Sequence, residues 1–136
     1  MVLKNYSQNF HVINFEWNEI FDYNIIEDNL KNKYDCIFFV HHETSTTMIN
    51  NIYELNTICN KYNINLVADT VYSVGIYNID LNILNKLKLF CFSTNKCIGS
   101  YPGLSIVVCD NIIFNNNNNN NNNISYLNLN YYYKYI

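Results

Sequence analysis

Asp69 closes the apolar run Leu66-Val67-Ala68, and Lys96 stands in Ser93-Thr94-Asn95-Lys96-Cys97-Ile98, just after the apolar run Leu89 to Phe92. An amine can take up an aldehyde as a Schiff base, and a carboxylate can keep a proton on the nitrogen of an aromatic heterocycle. Pyridoxal phosphate needs both, because its pyridine ring withdraws electrons from a substrate carbon only while that nitrogen is protonated. In an open α/β sheet, ligands bind beyond the carboxyl ends of the strands, where side chains distant in sequence converge. The pair by itself carries little weight. A lysine after a strand is usually a solvated loop residue, and an aspartate there is usually a turn or helix cap.

The elements that must hold this pair are legible in outline. His11 to Phe15 alternates apolar and polar residues, as a short strand does, and Asp22 is suited to cap a helix with Ile25, Ile26 and Leu30 on one face. Cys36 to Val40 is a continuous apolar run, the pattern of a strand covered on both faces in a parallel sheet. Met48, Ile52, Leu55, Cys59 and Tyr62 recur at threes and fours and predict a helix that begins near Thr46, which Thr44 or Ser45 would cap. Ile64 to Ala68 is the next strand. Val71 to Ile79 reads as a loop around Gly75, Leu81 to Leu87 as a short helix, and Leu89 to Phe92 as a strand. Tyr101-Pro102-Gly103 is a turn, and Leu104 to Cys109 follows Lys96 so closely that it must run antiparallel or turn sharply. Alternating strands and helices predict an α/β fold with a mainly parallel sheet.

Composition narrows the function classes. The chain has 136 residues, enough for one small domain or part of a larger one, and a formal charge of −3. Its eight basic residues are all lysines, scattered rather than clustered, which argues against a nucleic-acid partner. Arginine, the preferred clamp for carboxylate and phosphate groups, is absent. The five cysteines lie mostly in or beside apolar runs without CxxC spacing and are expected as buried thiols of a reducing, cytoplasmic setting. No stretch has the length of a membrane span. His41, His42 and Glu43 invite a metal reading, but neighbours on an extended segment point to opposite faces and no further cluster completes a site. Residues 111–136, with the asparagine run Asn115 to Asn123, are expected to be a low-complexity insertion and a disordered tail.

Four segments occur together in order: His41-His42-Glu43-Thr44-Ser45-Thr46, Asp69-Thr70-Val71-Tyr72-Ser73-Val74-Gly75, Ser93-Thr94-Asn95-Lys96-Cys97-Ile98 and Tyr101-Pro102-Gly103. With Phe15-Glu16-Trp17-Asn18-Glu19 upstream, their order and spacing resemble class V aminotransferases over about residues 10 to 110, most of all the 2-aminoethylphosphonate:pyruvate branch. The resemblance implies that residues 1–110 are the central part of a cofactor-binding large domain, a partial domain of the fold type I, aspartate aminotransferase-like α/β architecture with helices on both sheet faces. It also implies pyridoxal 5'-phosphate as cofactor, an amino donor and a 2-oxo acid acceptor as small-molecule partners, and a homodimer for the full-length protein. Lys96 would form the Schiff base and shuttle a proton between the substrate carbon and the cofactor's aldehyde carbon. Asp69 would pair with the pyridinium nitrogen. Thr44 would hydrogen-bond near the ring oxygen, Val71 would pack on a ring face, and Asn95 would contact the phosphate region. A partly desolvated lysine has its amine form favoured, which suits a nucleophile.

The chain also departs from this family. Thr47 and Ile76 stand where glycines are usual, each adding a Cβ where the backbone bends or is closely approached. The family's phosphate-binding turn and ring-stacking aromatic do not precede Tyr6, and its substrate-gripping arginine has no counterpart. The expectation is a fragment that binds cofactor weakly, since phosphate anchoring and substrate positioning supply much of the catalytic benefit. Alternative readings are another class V activity, such as alanine:glyoxylate transamination, and a remnant without catalysis. Desulfurases usually carry histidine where Asn95 stands, which counts against that branch.

Overall fold

The structure, a computed structural model, describes residues 10–31 and 34–111; the low-complexity insertion and tail expected over residues 111–136 lie outside them apart from residue 111. Among the described residues, two helices and six strands follow in the order α1 (Tyr23–Leu30), β1 (Cys36–Val40), β2 (His42–Glu43), β3 (Met48–Ile49), α2 (Ile52–Tyr62), β4 (Asn65–Asp69), β5 (Leu87–Ser93) and β6 (Ser105–Cys109). The four longer strands make one sheet in the order β1-β4-β5-β6, parallel except for the antiparallel pair β5 and β6, while β2 and β3 form a small hairpin. The connection from β5 to β6, residues 94–104, is too short for a helical crossover, so β6 returns alongside β5.

Both helices begin at side-chain caps. Asp22 accepts from the N–H groups of Asn24 and Ile25, and Asn51 accepts from those of Tyr53 and Glu54, in each case satisfying donors that the first helical turn leaves without partners. The second cap corrects the expected helix start. α2 begins at Ile52, not near Thr46, because Met48 and Ile49 pair with Glu43 and His42 in the hairpin. Thr44 and Ser45 therefore cap nothing; they sit in the hairpin turn, which Thr47 closes with a left-handed φ of 58°. The other end of α2 stops at Asn63, also left-handed at φ 56°, whose N–H returns to the Asn60 and Cys59 carbonyls.

The core lies between the helices and one face of the sheet. Leu55 and Cys59 of α2 and Leu66 and Ala68 of β4 are 0 % exposed, and Ile26, Leu30, Phe39, Leu84, Leu87 and Phe90 complete the cluster. Leu87 and Phe90 are three residues apart on a strand, a spacing that strict alternation would send to opposite faces. A register irregularity beside Lys88 absorbs the extra residue and turns both inward. Across the sheet's other face, Phe38 is 58 % exposed and Cys36 and Val107 are also exposed, so among the described residues the helices cover one face. Cys59 behaves as the buried thiol expected, with burial pushing its pKa up to about 12, whereas Cys36 lies open.

Two predicted elements are replaced by irregular backbone. The alternation from His11 to Phe15 is real in packing, with Ile13 and Phe15 half-buried against the core and Phe15 stacked on Phe21 at 5.0 Å between centroids. No described strand lies alongside, so the segment has no ladder to join. Leu81 to Leu87 forms turns: Ile83 and Leu84 donate to the Asp80 carbonyl, and Leu87 already belongs to β5. One turn of chain fixes too many dihedrals for too few hydrogen bonds to persist as a helix. Buried Asn56 holds this connection instead, donating to the Ile83 carbonyl and accepting from the Lys86 N–H.

Candidate active site

Val40, Asp69 and Cys91 lie side by side at the carboxyl ends of β1, β4 and β5. The edge is tied together just beyond them. The His41 N–H donates to the Asp69 carbonyl at 2.9 Å, and Thr70 donates to the Cys91 carbonyl from its N–H at 3.0 Å and its hydroxyl at 2.8 Å. Asp69 is half-buried there, and its Oδ1 accepts from the Val71 N–H at 3.0 Å. Among the described residues Oδ2 receives no hydrogen bond, so one carboxylate oxygen orients the group and the other is available to a ligand.

Two loops rise from this edge. The first, residues 70–77, is compact: Ser73, Val74 and Tyr77 all donate backbone hydrogen bonds within it, and the Ser73 hydroxyl, buried completely, donates to the Thr70 carbonyl. The second carries Lys96 between β5 and β6 and is closed by Thr94, which donates to the Leu104 carbonyl from its N–H and to the Tyr101 carbonyl from its hydroxyl. Gly75 brings the loops into contact. At φ +99° it faces the second loop so closely that a Cβ there would lie 3.1 Å from the Cys97 carbonyl oxygen and 3.3 Å from the Ile98 nitrogen. A second bond between the loops and the hairpin comes from His42, whose Nδ1 donates to the Tyr72 carbonyl at 2.8 Å.

Lys96 is exposed, which corrects the partly desolvated setting expected for it. It sits at the crown of a turn past the sheet edge, and its Nζ lies 4.9 Å from the centroid of the Tyr72 ring, a cation–aromatic contact. Val71 is half-buried beside Asp69, Asn95 is exposed next to Lys96, and Thr44 is exposed on the hairpin turn. The topology thus brings Asp69, Val71, Asn95 and Lys96 to one edge, with Thr44 on the hairpin that His42 fastens to the same loop. Of the two adjacent histidines, His41 turns inward, 3 % exposed between the Phe39 and Tyr77 rings, and burial followed by the neighbouring His42 lowers its pKa. Glu43 is occupied locally. The hydroxyl and N–H of Ser45 both donate to its Oε1 and hold its carboxyl below the usual range.

Tyr72 and His42 are the participants that sequence reasoning did not assign. Tyr72 lies within the Asp69 to Gly75 motif, but nothing in a linear pattern shows that its ring meets a lysine 24 positions later in the chain.

An acid with one open oxygen at the end of β4 and a primary amine on the loop after β5, at the carboxyl edge of a mainly parallel sheet, are the groups that the ring nitrogen and the aldehyde of pyridoxal phosphate call for. Fold and donor set together mark part of the large domain of a pyridoxal-phosphate-dependent transferase. The family model for aminotransferase class-V matches residues 1–118, and the chain belongs to this family. It is 34 % identical over 92 residues to the bifunctional phosphonoacetaldehyde hydrolase/aminoethylphosphonate transaminase of Clostridioides difficile, covering 66 % of this chain and 14 % of that protein. To the 2-aminoethylphosphonate--pyruvate transaminase of Aeromonas hydrophila it is 36 % identical over 69 residues, covering 51 % of this chain and 18 % of the relative. The crystal structure of alanine--glyoxylate aminotransferase from Nostoc sp. superposes with a TM-score of 0.78 at 25 % identity, over 90 % of this chain and 33 % of that one. The chain therefore spans a minor part of each of these proteins. Among the described residues, no helix is long and apolar enough to cross a membrane.

Proposed function

We propose that this chain carries the cofactor-facing middle of a pyridoxal-phosphate-dependent aminotransferase that moves an amino group from 2-aminoethylphosphonate to pyruvate. The observation that carries the reading is the shared edge of Asp69 and Lys96, joined through the contact between Lys96 and Tyr72. The choice of donor and acceptor rests on relatives that bear that activity in their names.

Pyridoxal phosphate, when bound, supplies an electron-accepting ring conjugated to the carbon that receives the amino group. Lys96 Nζ would be the amine that holds the cofactor's aldehyde and the base that moves the proton. Asp69 Oδ2 keeps the ring nitrogen protonated through a charge-assisted hydrogen bond, the strong kind in which one partner is ionised. The Val71 N–H fixes that carboxylate through Oδ1, and the Val71 side chain would pack on a face of the ring. Thr44 would serve the ring oxygen and Asn95 the phosphate region. A full-length homodimer and a cytoplasmic setting belong to the same reading.

The test is to add pyridoxal phosphate, reduce with borohydride, digest and find the pyridoxyl adduct by mass spectrometry. The adduct is expected on Lys96, absent in Lys96→Ala and weaker in Asp69→Asn. Labelling on another lysine, or none, would overturn the site. For substrates, the protein is given 2-aminoethylphosphonate with pyruvate and, separately, alanine with glyoxylate. Phosphonoacetaldehyde from the first mixture supports the reading, whereas turnover of the second alone would favour the activity that the Nostoc protein is named for.

A further inference from the structure

Lys96 is the cofactor amine under the reading above, and its amine makes a contact with an aromatic ring. Its Nζ lies over the face of Tyr72, 4.9 Å from the ring centroid, at the exposed edge of the sheet. Tyr72 is half-buried, and its backbone is fixed from two directions. The His42 imidazole donates to its carbonyl at 2.8 Å, and three residues on, Gly75 sits against the Cys97 carbonyl in the loop that carries Lys96. The backbone that carries the ring is therefore tied to the hairpin and to the lysine loop at once, and a flexible side chain meets a ring on fixed backbone.

We propose that Tyr72 is a positioning residue for the cofactor amine: its ring holds Lys96 at the sheet edge beside Asp69, and the lysine leaves the ring when it takes up an aldehyde. A lysine side chain loses considerable rotamer freedom when it is held, and the negative face of an aromatic ring supplies the attraction that holds a cationic head group. The proposal rests on the assignment of Lys96 as the cofactor lysine for its functional meaning, but the contact is testable without any cofactor. A ring that restrains the amine also slows its reaction with any small electrophile.

The experiment uses the whole chain and competitive acetylation, with each lysine quantified by mass spectrometry and Lys86 and Lys88 as internal references. Lys96 is expected to react about two- to five-fold faster, relative to the references, in Tyr72→Met and Tyr72→Leu, the factor equivalent to a cation–aromatic contact at an exposed site. Tyr72→Phe, which keeps the ring, is expected to retain the wild-type ratio. Proton NMR of the wild type supplies a readout independent of variant folding: the ε-methylene protons of Lys96 should be shifted upfield by the ring. Equal Lys96 reactivity in all four proteins, an unshifted ε-methylene signal, or Tyr72→Phe behaving like Tyr72→Met would each overturn the proposal. Borohydride trapping with pyridoxal phosphate then separates it from the functional reading. A change in acetylation ratio with the pyridoxyl adduct found on a different lysine would leave the contact standing and remove the role of Lys96 in cofactor capture.

Discussion

Gly75→Ala tests the contact that joins the two site loops, because it adds one methyl group at the point where they meet. The cost has two parts. A residue with a side chain in the left-handed region is strained by roughly 1–2 kcal/mol relative to its ordinary conformation, and Gly75 has a φ of +99°. The second part is steric: the new Cβ would stand 3.1 Å from the Cys97 carbonyl oxygen and 3.2 Å from its carbon, so backbone has to yield by a few tenths of an ångström. Gly99 at φ +71° and Gly103 at φ +130° bracket this dihedral and have nothing within 4 Å of an added Cβ, so Gly99→Ala and Gly103→Ala carry the strain without the crowding. Urea unfolding of the three variants, each with wild-type m-values, should place Gly75→Ala below both controls by about 1 kcal/mol or more, within the range of mild overpacking. Borohydride trapping at Lys96 should also fall in Gly75→Ala alone, because the displaced backbone is that of Cys97 and Ile98. Equal stability of all three variants, together with unchanged trapping, would refute the idea that this glycine couples the loops.

Thr47→Gly is expected to stabilise the chain by about 0.5 kcal/mol. Relief of left-handed strain at a β-branched residue, about 1–2 kcal/mol, is offset in part by the greater freedom of glycine in the unfolded chain, about 0.4–1 kcal/mol. The residue is exposed at φ 58°, so packing should not intervene; a lower urea midpoint in the variant would contradict the argument. His41 gives a pH dependence. Its folded pKa lies below the ordinary 6.5 because burial disfavours the charged ring, so below that pH the unfolded chain binds a proton that the folded chain does not. Stability should be unaffected by this group above pH 6.5 and fall as pH decreases from there towards the folded pKa, with a slope of at most about 1.4 kcal/mol per pH unit. His41→Phe should remove that slope in urea titrations between pH 7 and 5, as estimated from the ordinary histidine range; a slope that persists would assign it to other groups.

The candidate site was legible in the sequence where it depends on local order. Asp69 and Lys96 each follow a run of apolar residues, and such runs form strands wherever they lie in a parallel sheet, so the acid and the amine come out at strand ends. The caps Asp22 and Asn51 differ in this respect. Asp22 precedes the only helical pattern nearby and was found, while the periodicity through Met48 ran on into a hairpin, because hairpin pairing satisfies the backbone of Met48 and Ile49 as well as a helix would. Ile76 illustrates the opposite error. It stands where a second glycine is usual, yet it has no positive φ and is 61 % exposed, so the added Cβ is accommodated; Thr47, suspected on the same ground, does adopt the left-handed conformation.

By itself the sequence determined the strand runs, the helical stripe of α2, the shortness of the connection to β6 and the order of motifs that marks the family, because each is set by side-chain period or by the length of a connection. Only the tertiary structure decided which atoms meet. Strand register aligned Asp69 with Val40 and Cys91, the β5 irregularity turned Leu87 and Phe90 into one core, and packing around Gly75 and His42 carried Tyr72 to Lys96. These contacts join residues far apart in the chain. Their energies depend on distances of a few ångströms, and a linear pattern contains no such distances.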